Sequence, residues 1–199
     1  MKNKFLKNCL ALFLITLIAG VSLAVVNEIT KEPIAQAENN AKLAAYNEVF
    51  TDVQFEEIAD SAKILKANAG KVSPAAVEEV LLAKDKDGNT AGYVMSAVSP
   101  NGYGGDIKVA VGISSKDDTI SGISILSNNE TAGLGSKCTD DEFKSQFKGK
   151  SAKGIQFTKT GASTDSEIDA ISGATITTNA VTQAVNAAIE VYNNSLKEG

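Results

Sequence analysis

The sequence predicts an α+β protein: a single N-terminal transmembrane helix followed by one extracytoplasmic domain with a mostly antiparallel sheet packed by helices. Three observations carry that expectation. No charged residue occurs between Lys7 and Glu28, strands follow one another in mid-chain with no helix between them, and the carboxyl end holds one long amphipathic stripe. With 199 residues, 43% of them hydrophobic, the chain can bury a core and still carry an appendage.

The uncharged span, NCLALFLITLIAGVSLAVVN, runs from Asn8 to Asn27. A helix crosses a bilayer with about 20 predominantly apolar residues, so the length suffices. A cleaved signal peptide is the alternative, with Val21-Ser22-Leu23-Ala24 as a small-residue site. The apolar run, however, exceeds the roughly 7–15 residues of a signal core and continues through Val25 and Val26, which favours a retained anchor. Lys2, Lys4 and Lys7 precede the span and Glu28 follows it, so the amino end is expected to stay cytoplasmic and the rest to face outside. The expected organisation is a cytoplasmic stub and transmembrane helix over 1–27, a polar stalk over 28–40 and an outer domain over 41–199.

Within the outer part, Leu43, Tyr46, Val49 and Phe50 fall at helical spacing and predict a short helix. Val77–Ala83 is largely apolar, with β-branched Val77 and Val80, and runs into an Asp87-Gly88 turn signal. Gly92-Tyr93-Val94-Met95 returns from it, making a hairpin. Ile107, Val109, Val111 and Ile113 alternate with Lys108, Ala110 and Gly112, the period of a strand with one buried face. Ser115–Asp118 turns the chain, and Ile120, Ile123 and Ile125 continue the sheet, which is therefore antiparallel at this point. Phe143 and Phe147 lie one helical turn apart and predict a short helix docking two rings. Val181, Ala184, Val185, Ala188, Ile189 and Tyr192 form one apolar stripe, a helix lying on the sheet.

Composition removes several function classes. The net charge is −5, and setting aside the three amino-terminal lysines leaves −8 for the remainder. So acidic a body is a poor match for a phosphate backbone, and no nucleic-acid partner is expected. There is no histidine, which rules out Ser-His-Asp and Cys-His nucleophile pairs, a His-ligated zinc and a His-ligated haem. Two cysteines cannot supply a four-thiolate cluster within this chain. Cys9 sits in the apolar span and Cys138 in the globular part, so no disulfide is expected, and Cys138 reads as a small buried hydrophobe. No catalytic residue and no metal ligand set emerge. Demanding chemistry then requires an organic cofactor.

Three stretches could hold one. The first is DAISGATITT, Asp169 to Thr178, directly before the terminal helix. A helix start offers unpaired N–H groups and a positive dipole end, which suits phosphate. Gly173 and Ala174 allow close approach to the backbone. The hydroxyls of Ser172, Thr175, Thr177 and Thr178 can cap the helix, donate to phosphate oxygens or serve as an attachment point. Taken alone, the stretch fits a capped helix without ligand first. The second, Asn128–Gly135, carries Glu130, Thr131, Gly133, Leu134 and Gly135: either a plain turn, or bare N–H groups and one aliphatic side chain held against a flat ligand. The third, Asn101–Asp106, sets three glycines around Tyr103. It lacks the lysine and spacing of a phosphate-binding P-loop.

The ordered set GYGGDI, ETAGLG and DAISGAT before a terminal helix resembles the FMN-binding domain family. With its one amino-terminal anchor, the chain looks most like the G subunits of Rnf-type electron transport complexes. The resemblance implies covalent FMN, joined by a phosphoester to Thr175 and installed by a separate flavin transferase that uses FAD as donor. It also implies that Asp169, Ser172, Gly173 and Ala174 form the transferase's recognition sequence, with Thr177 and Thr178 beside it. Glu130, Thr131, Gly133, Leu134 and Gly135 would lie near the flavin, with Tyr103 and Gly104 by the same pocket. Ala132 departs from the family, many of whose members carry proline there. The implied role is that of an electron carrier in a membrane complex coupling ferredoxin–NAD electron transfer to translocation of Na⁺ or H⁺. Its implied partners are the other membrane and peripheral subunits, and no turnover by the isolated chain is expected. Three alternatives stand beside it: a C-type component of the sodium-pumping NADH–quinone reductase, an anchored module binding a phosphate ligand non-covalently, and a flavin reductase domain.

Overall fold

A computed structural model describes residues 2–197 of the chain; Met1, at the head of the expected stub, and Glu198 and Gly199, at the end of the expected outer domain, lie outside the described residues. The chain forms two compact units, Met1–Lys42 and Leu43–Gly199. Helix α1 (Lys2–Val49) supplies the first and runs on into the second. From Leu6 to Val26 no side chain is buried within the protein, although Leu10, Leu12, Phe13, Ile15 and Ile18 are large and apolar. An unburied helix that is apolar all round is long enough and greasy enough to cross a membrane. The stretch expected as a polar stalk is helical as well, and the separate short helix expected from Leu43 is the last part of α1. Ala35, Gln36, Ala37 and Glu38, then Ala41 to Ala45, are strong helix formers that carry the helix on past Pro33.

In the second unit five strands form a meander: β1 (Gln54–Glu57), β2 (Ala76–Lys84), β3 (Thr90–Gly102), β4 (Gly105–Ser114) and β5 (Thr119–Ser127), in that spatial order and antiparallel throughout. The two expected hairpins are β2–β3 and β4–β5. Helix α2 (Ser61–Asn68) lies between β1 and β2 in sequence. After β5 come a 3-10 turn at Gly135–Thr139, the short helix α3 (Asp141–Lys144) and a second 3-10 turn through Phe147, where the Phe143 and Phe147 rings meet at 5.5 Å. Strands β6 (Gln156–Thr158) and β7 (Glu167–Asp169) form a small parallel pair, and α4 (Thr175–Ser195) closes the chain.

Strand alternation sorts the core into two layers. Tyr93, Met95, Ala97, Ile107, Val109, Val111 and Ile113 face α4, whose Val181, Ala184, Val185, Ala188 and Tyr192 are buried against them. The opposite face carries Val94 and Ala110, covered by Tyr46 and Val49 from the end of α1 with Phe50, Phe55 and Leu81 at the margin. Covering both faces explains why β3 is buried at six successive positions rather than at alternate ones. The Tyr46 hydroxyl donates to Glu79, and Glu48 is held by Lys144 at 2.5 Å and by the Ser124 hydroxyl at 2.7 Å.

Candidate functional site

The meander brings three connections to one end of the sheet. β3 ends at Gly102 and β4 starts at the opposing Gly105, so Tyr103 and Gly104 form a two-residue tip. β5 leaves the sheet at Ser127 beside β4, so Asn128–Gly135 begins next to that tip. α4 lies across β3 and β4 and starts at the same end.

Glu130 ties the three together. Its Oε1 accepts the Gly104 N–H at 2.9 Å, and its Oε2 accepts the Thr177 hydroxyl. The space around the carboxylate is tightly filled. A β-carbon at Gly135 would collide with both Glu130 Oε2 and Thr177 Oγ1, and one at Gly104 would collide with the Asn129 carbonyl. Beneath the loop, Cys138 is fully buried; burial first, and then the Glu130 carboxylate, push its thiol up to about 11. It is a packing residue, as its sequence context suggests.

The terminal helix begins at Thr175, inside DAISGATITT rather than after it as expected. Gly173 takes a left-handed φ of 78°, Ala174 is the non-helical residue before the first turn, and the Thr178 N–H makes the first helical bond, to the Ala174 carbonyl at 3.0 Å. No side chain caps this end, so the N–H groups of Thr175, Ile176 and Thr177 keep their capacity to donate. Two of the four hydroxyls are turned inward. Thr178 accepts the Ile171 N–H and donates to the Ala174 carbonyl, both at 3.0 Å, and is fully buried; Thr177 is committed to Glu130. Ser172 and Thr175 make no side-chain hydrogen bond among the described residues.

A cavity of about 490 Å³ lies between these loops, walled by Tyr103, Glu130, Thr131, Leu134, Gly135, Gly173, Ala174, Thr175, Ile176 and Thr177. It gathers nine of the fourteen residues singled out in the sequence. Gly104 stands behind it as a donor to Glu130, Gly133 gives its N–H to the Ser136 hydroxyl at 2.9 Å, and Thr178 lies beneath the helix start. Ser172 and Asp169 line a separate cavity of about 290 Å³ with Lys137, Asp140 and Gln146. Asp169 is engaged within the fold: its N–H donates to Gln146 at 2.6 Å, and its carboxylate accepts the Ala162 N–H at 2.7 Å. Sequence reasoning missed Ile176. Its signal was an apolar residue in the first turn of α4 lying off the buried stripe; it is 53% exposed, and with Leu134 and Tyr103 it makes an apolar rim.

The wall has two chemically distinct parts. The helix start offers N–H groups and a free hydroxyl suited to a phosphate, and the rim offers aliphatic and aromatic surface suited to a ring. The volume falls within the roughly 300–1,000 Å³ of small-molecule sites.

Residues 102–190 match the family model described as FMN-binding domain, and residues 1–49 match the one described as RnfG N-terminal region. The chain is 36% identical over 192 residues to the G subunit of the Na⁺-translocating ferredoxin:NAD⁺ oxidoreductase complex of Acetobacterium woodii, covering 94% of this chain and 91% of that one. It is 34% identical to the G subunit of the proton-translocating ferredoxin:NAD⁺ oxidoreductase complex of Clostridium ljungdahlii, covering 87% of this chain and 83% of that one. Among solved structures, the C subunit of the Na⁺-translocating NADH-quinone reductase of Parabacteroides distasonis superposes with a TM-score of 0.53 at 25% identity, covering 74% of this chain and 78% of that one.

Proposed function

The chain belongs to the G-subunit family of the ion-translocating ferredoxin:NAD⁺ oxidoreductase (Rnf) complexes, and on that premise we propose that it is a membrane-anchored flavoprotein that carries electrons within such a complex. The cofactor is FMN, held through a phosphoester to Thr175. One observation carries this reading: of the four hydroxyls at the start of α4, only that of Thr175 is both without a hydrogen-bond partner among the described residues and on the wall of the large cavity.

The residues present fit the group. The uncapped first turn of α4 and the Thr175 oxygen would hold the phosphate, and Tyr103, Leu134 and Ile176 would line the ring. FMN supplies one- and two-electron transfer without a histidine or a metal from the protein. Glu130 keeps the Tyr103–Gly104 tip and the Glu130–Gly135 loop against α4, which fixes the shape of the cavity. Attachment forms a bond from Thr175 Oγ1 to the phosphorus of the flavin half of FAD. It breaks the diphosphate bridge, releases AMP and passes the hydroxyl proton to base. A separate flavin transferase performs this step, with Asp169, Ser172, Gly173 and Ala174 as the segment it reads. α1 serves as the anchor; the lysines before its apolar span support a cytoplasmic amino end and an outer domain on the other side, among the remaining members of the complex. The coupling ion differs between the two relatives' names, Na⁺ in one and H⁺ in the other.

The test is a denaturing gel of protein made with the transferase present, viewed under ultraviolet light, together with the mass of the Thr175 peptide. A fluorescent band and a peptide heavier by one FMN residue are expected, and both vanish in Thr175→Ala. Flavin released by denaturation alone would favour a non-covalent binding module, and a band that survives Thr175→Ala would move the attachment elsewhere.

A further inference from the structure

The wall of the large cavity contains ten residues, and Glu130 is the only charged side chain among them; among the described residues no lysine or arginine lines it. Two-electron reduction of an oxidised isoalloxazine with uptake of one proton leaves the ring one unit more negative. A cation in the wall would favour that product, and an anion opposes it. Glu130 is fixed in place as well as charged. Both of its oxygens are engaged, by the Gly104 N–H and the Thr177 hydroxyl, and a β-carbon at Gly102 or Gly135 would collide with the carboxylate, so it is closely packed where it stands. The loop is half-buried at this point, so solvent screens the charge only in part.

We propose that Glu130 holds the FMN of this site at a low reduction potential, as the sole charge in a cavity wall that offers the reduced ring no cation. The proposal rests on the FMN reading given above. Glu130 touches none of the reacting atoms in this role; it positions the loops and sets the field.

The test is potentiometric titration of the full-length flavinylated protein with dithionite, followed by flavin absorbance, for the native chain, Glu130→Gln and Thr131→Lys. Glutamine keeps the size of the side chain and its capacity to accept from Gly104 and meet Thr177, and removes only the charge. Thr131→Lys leaves Glu130 and its partners in place and puts a cation on the exposed rim. Each variant is expected to favour the reduced form at least tenfold, about 30 mV upward for a two-electron couple. Thr131→Lys checks that the ring senses a charge in this wall, and a role for Glu130 confined to tying loops together would leave Glu130→Gln, which keeps both bonds, at the native potential. If Glu130→Gln does not fold, Thr177→Val decides: it cuts one of the two bonds and keeps the charge, so the native potential is expected, and a rise of the same size would assign the effect to the loop tie and overturn the proposal. An unchanged potential in folded Glu130→Gln or Thr131→Lys, with flavin attached, overturns the proposal and leaves the function intact. Absence of flavin on the native chain overturns the function itself.

Discussion

Val49, in the last turn of α1, occupies the space that a β-carbon on Gly112 of β4 would need. Gly112 faces Gly122 across the β4–β5 pairing, so the outer face of the sheet has a bare floor onto which Val49 and Phe50 fold. Gly112→Ala should therefore destabilise the outer domain by about 1–3 kcal/mol, the range for overpacking a filled site. Urea unfolding measures it. Combining the change with Val49→Ala should recover part of the loss, because two residues in contact couple by about 0.5–3 kcal/mol. Simple additivity would show that the two do not compete for space.

Thr178 gives a second measurable link between fold and site. Its buried hydroxyl satisfies both the Ile171 N–H and the Ala174 carbonyl. Thr178→Val keeps the shape and leaves that N–H without an acceptor, at a cost of about 1–3 kcal/mol. Stability and the fraction of chains carrying flavin should fall together, and Thr178→Ser should restore both. A valine variant with native stability would remove this anchor from the account.

The Glu48–Lys144 pair predicts a pH dependence. Burial works against the charge of Glu48, but the hydrogen bonds from Lys144 and Ser124 outweigh it and lower its pKa from the ordinary 4.5. For Lys144 burial likewise works against the charge, and the bonds to Glu48 and Asp141 outweigh it, raising the pKa above 10.5. A lowered carboxylate adds stability above its unfolded pKa and loses it as pH falls through the folded one. A raised lysine adds stability below its unfolded pKa and loses it as pH rises through the folded one. The stability difference between the native chain and Lys144→Met should thus be flat from about pH 6 to 9 and no more than about 1 kcal/mol. It should shrink below 4.5 and again above 10.5. A difference that persists at pH 3 would mean that packing of the lysine stem, and not its charge, is responsible.

Cys138 should resist alkylation in the folded domain at pH 8, since it is fully buried and its thiol is pushed up to about 11. Labelling should appear only with denaturant, at the midpoint measured by other probes. Fast labelling of the native protein would contradict the packing under the Glu130 loop.

The parts of the fold legible in the sequence are those where one face is buried over a long run. Strand β4 declared itself through Ile107, Val109, Val111 and Ile113, and α4 through its stripe from Val181 to Tyr192. β1, β6 and β7 did not, because three or four residues are too few for a period, and the parallel β6–β7 pair has no local turn signal. α2 escaped because its eight residues bury only Asn68. At the site, small and hydroxylated residues advertised the three loops, and the structure brings Tyr103, Leu134 and Thr175 to one cavity. The sequence could not show which hydroxyls face inward. That depends on where α4 starts, and the start is set by a left-handed Gly173 together with bonds from Thr177 to Glu130 and between Thr178 and Ile171.

Those inward-facing threonines have a consequence for any enzyme that modifies this segment. Four alcohols lie within seven residues, chemically near-identical, and folding withdraws two of them before a modifier arrives. Regioselectivity is thus partly a property of the substrate. A modifier with only loose discrimination still meets few acceptors on an intact domain, whereas a loosened helix start would hand it Thr177 and Thr178 too. Destabilised variants should betray themselves by mixed labelling before they betray themselves by aggregation.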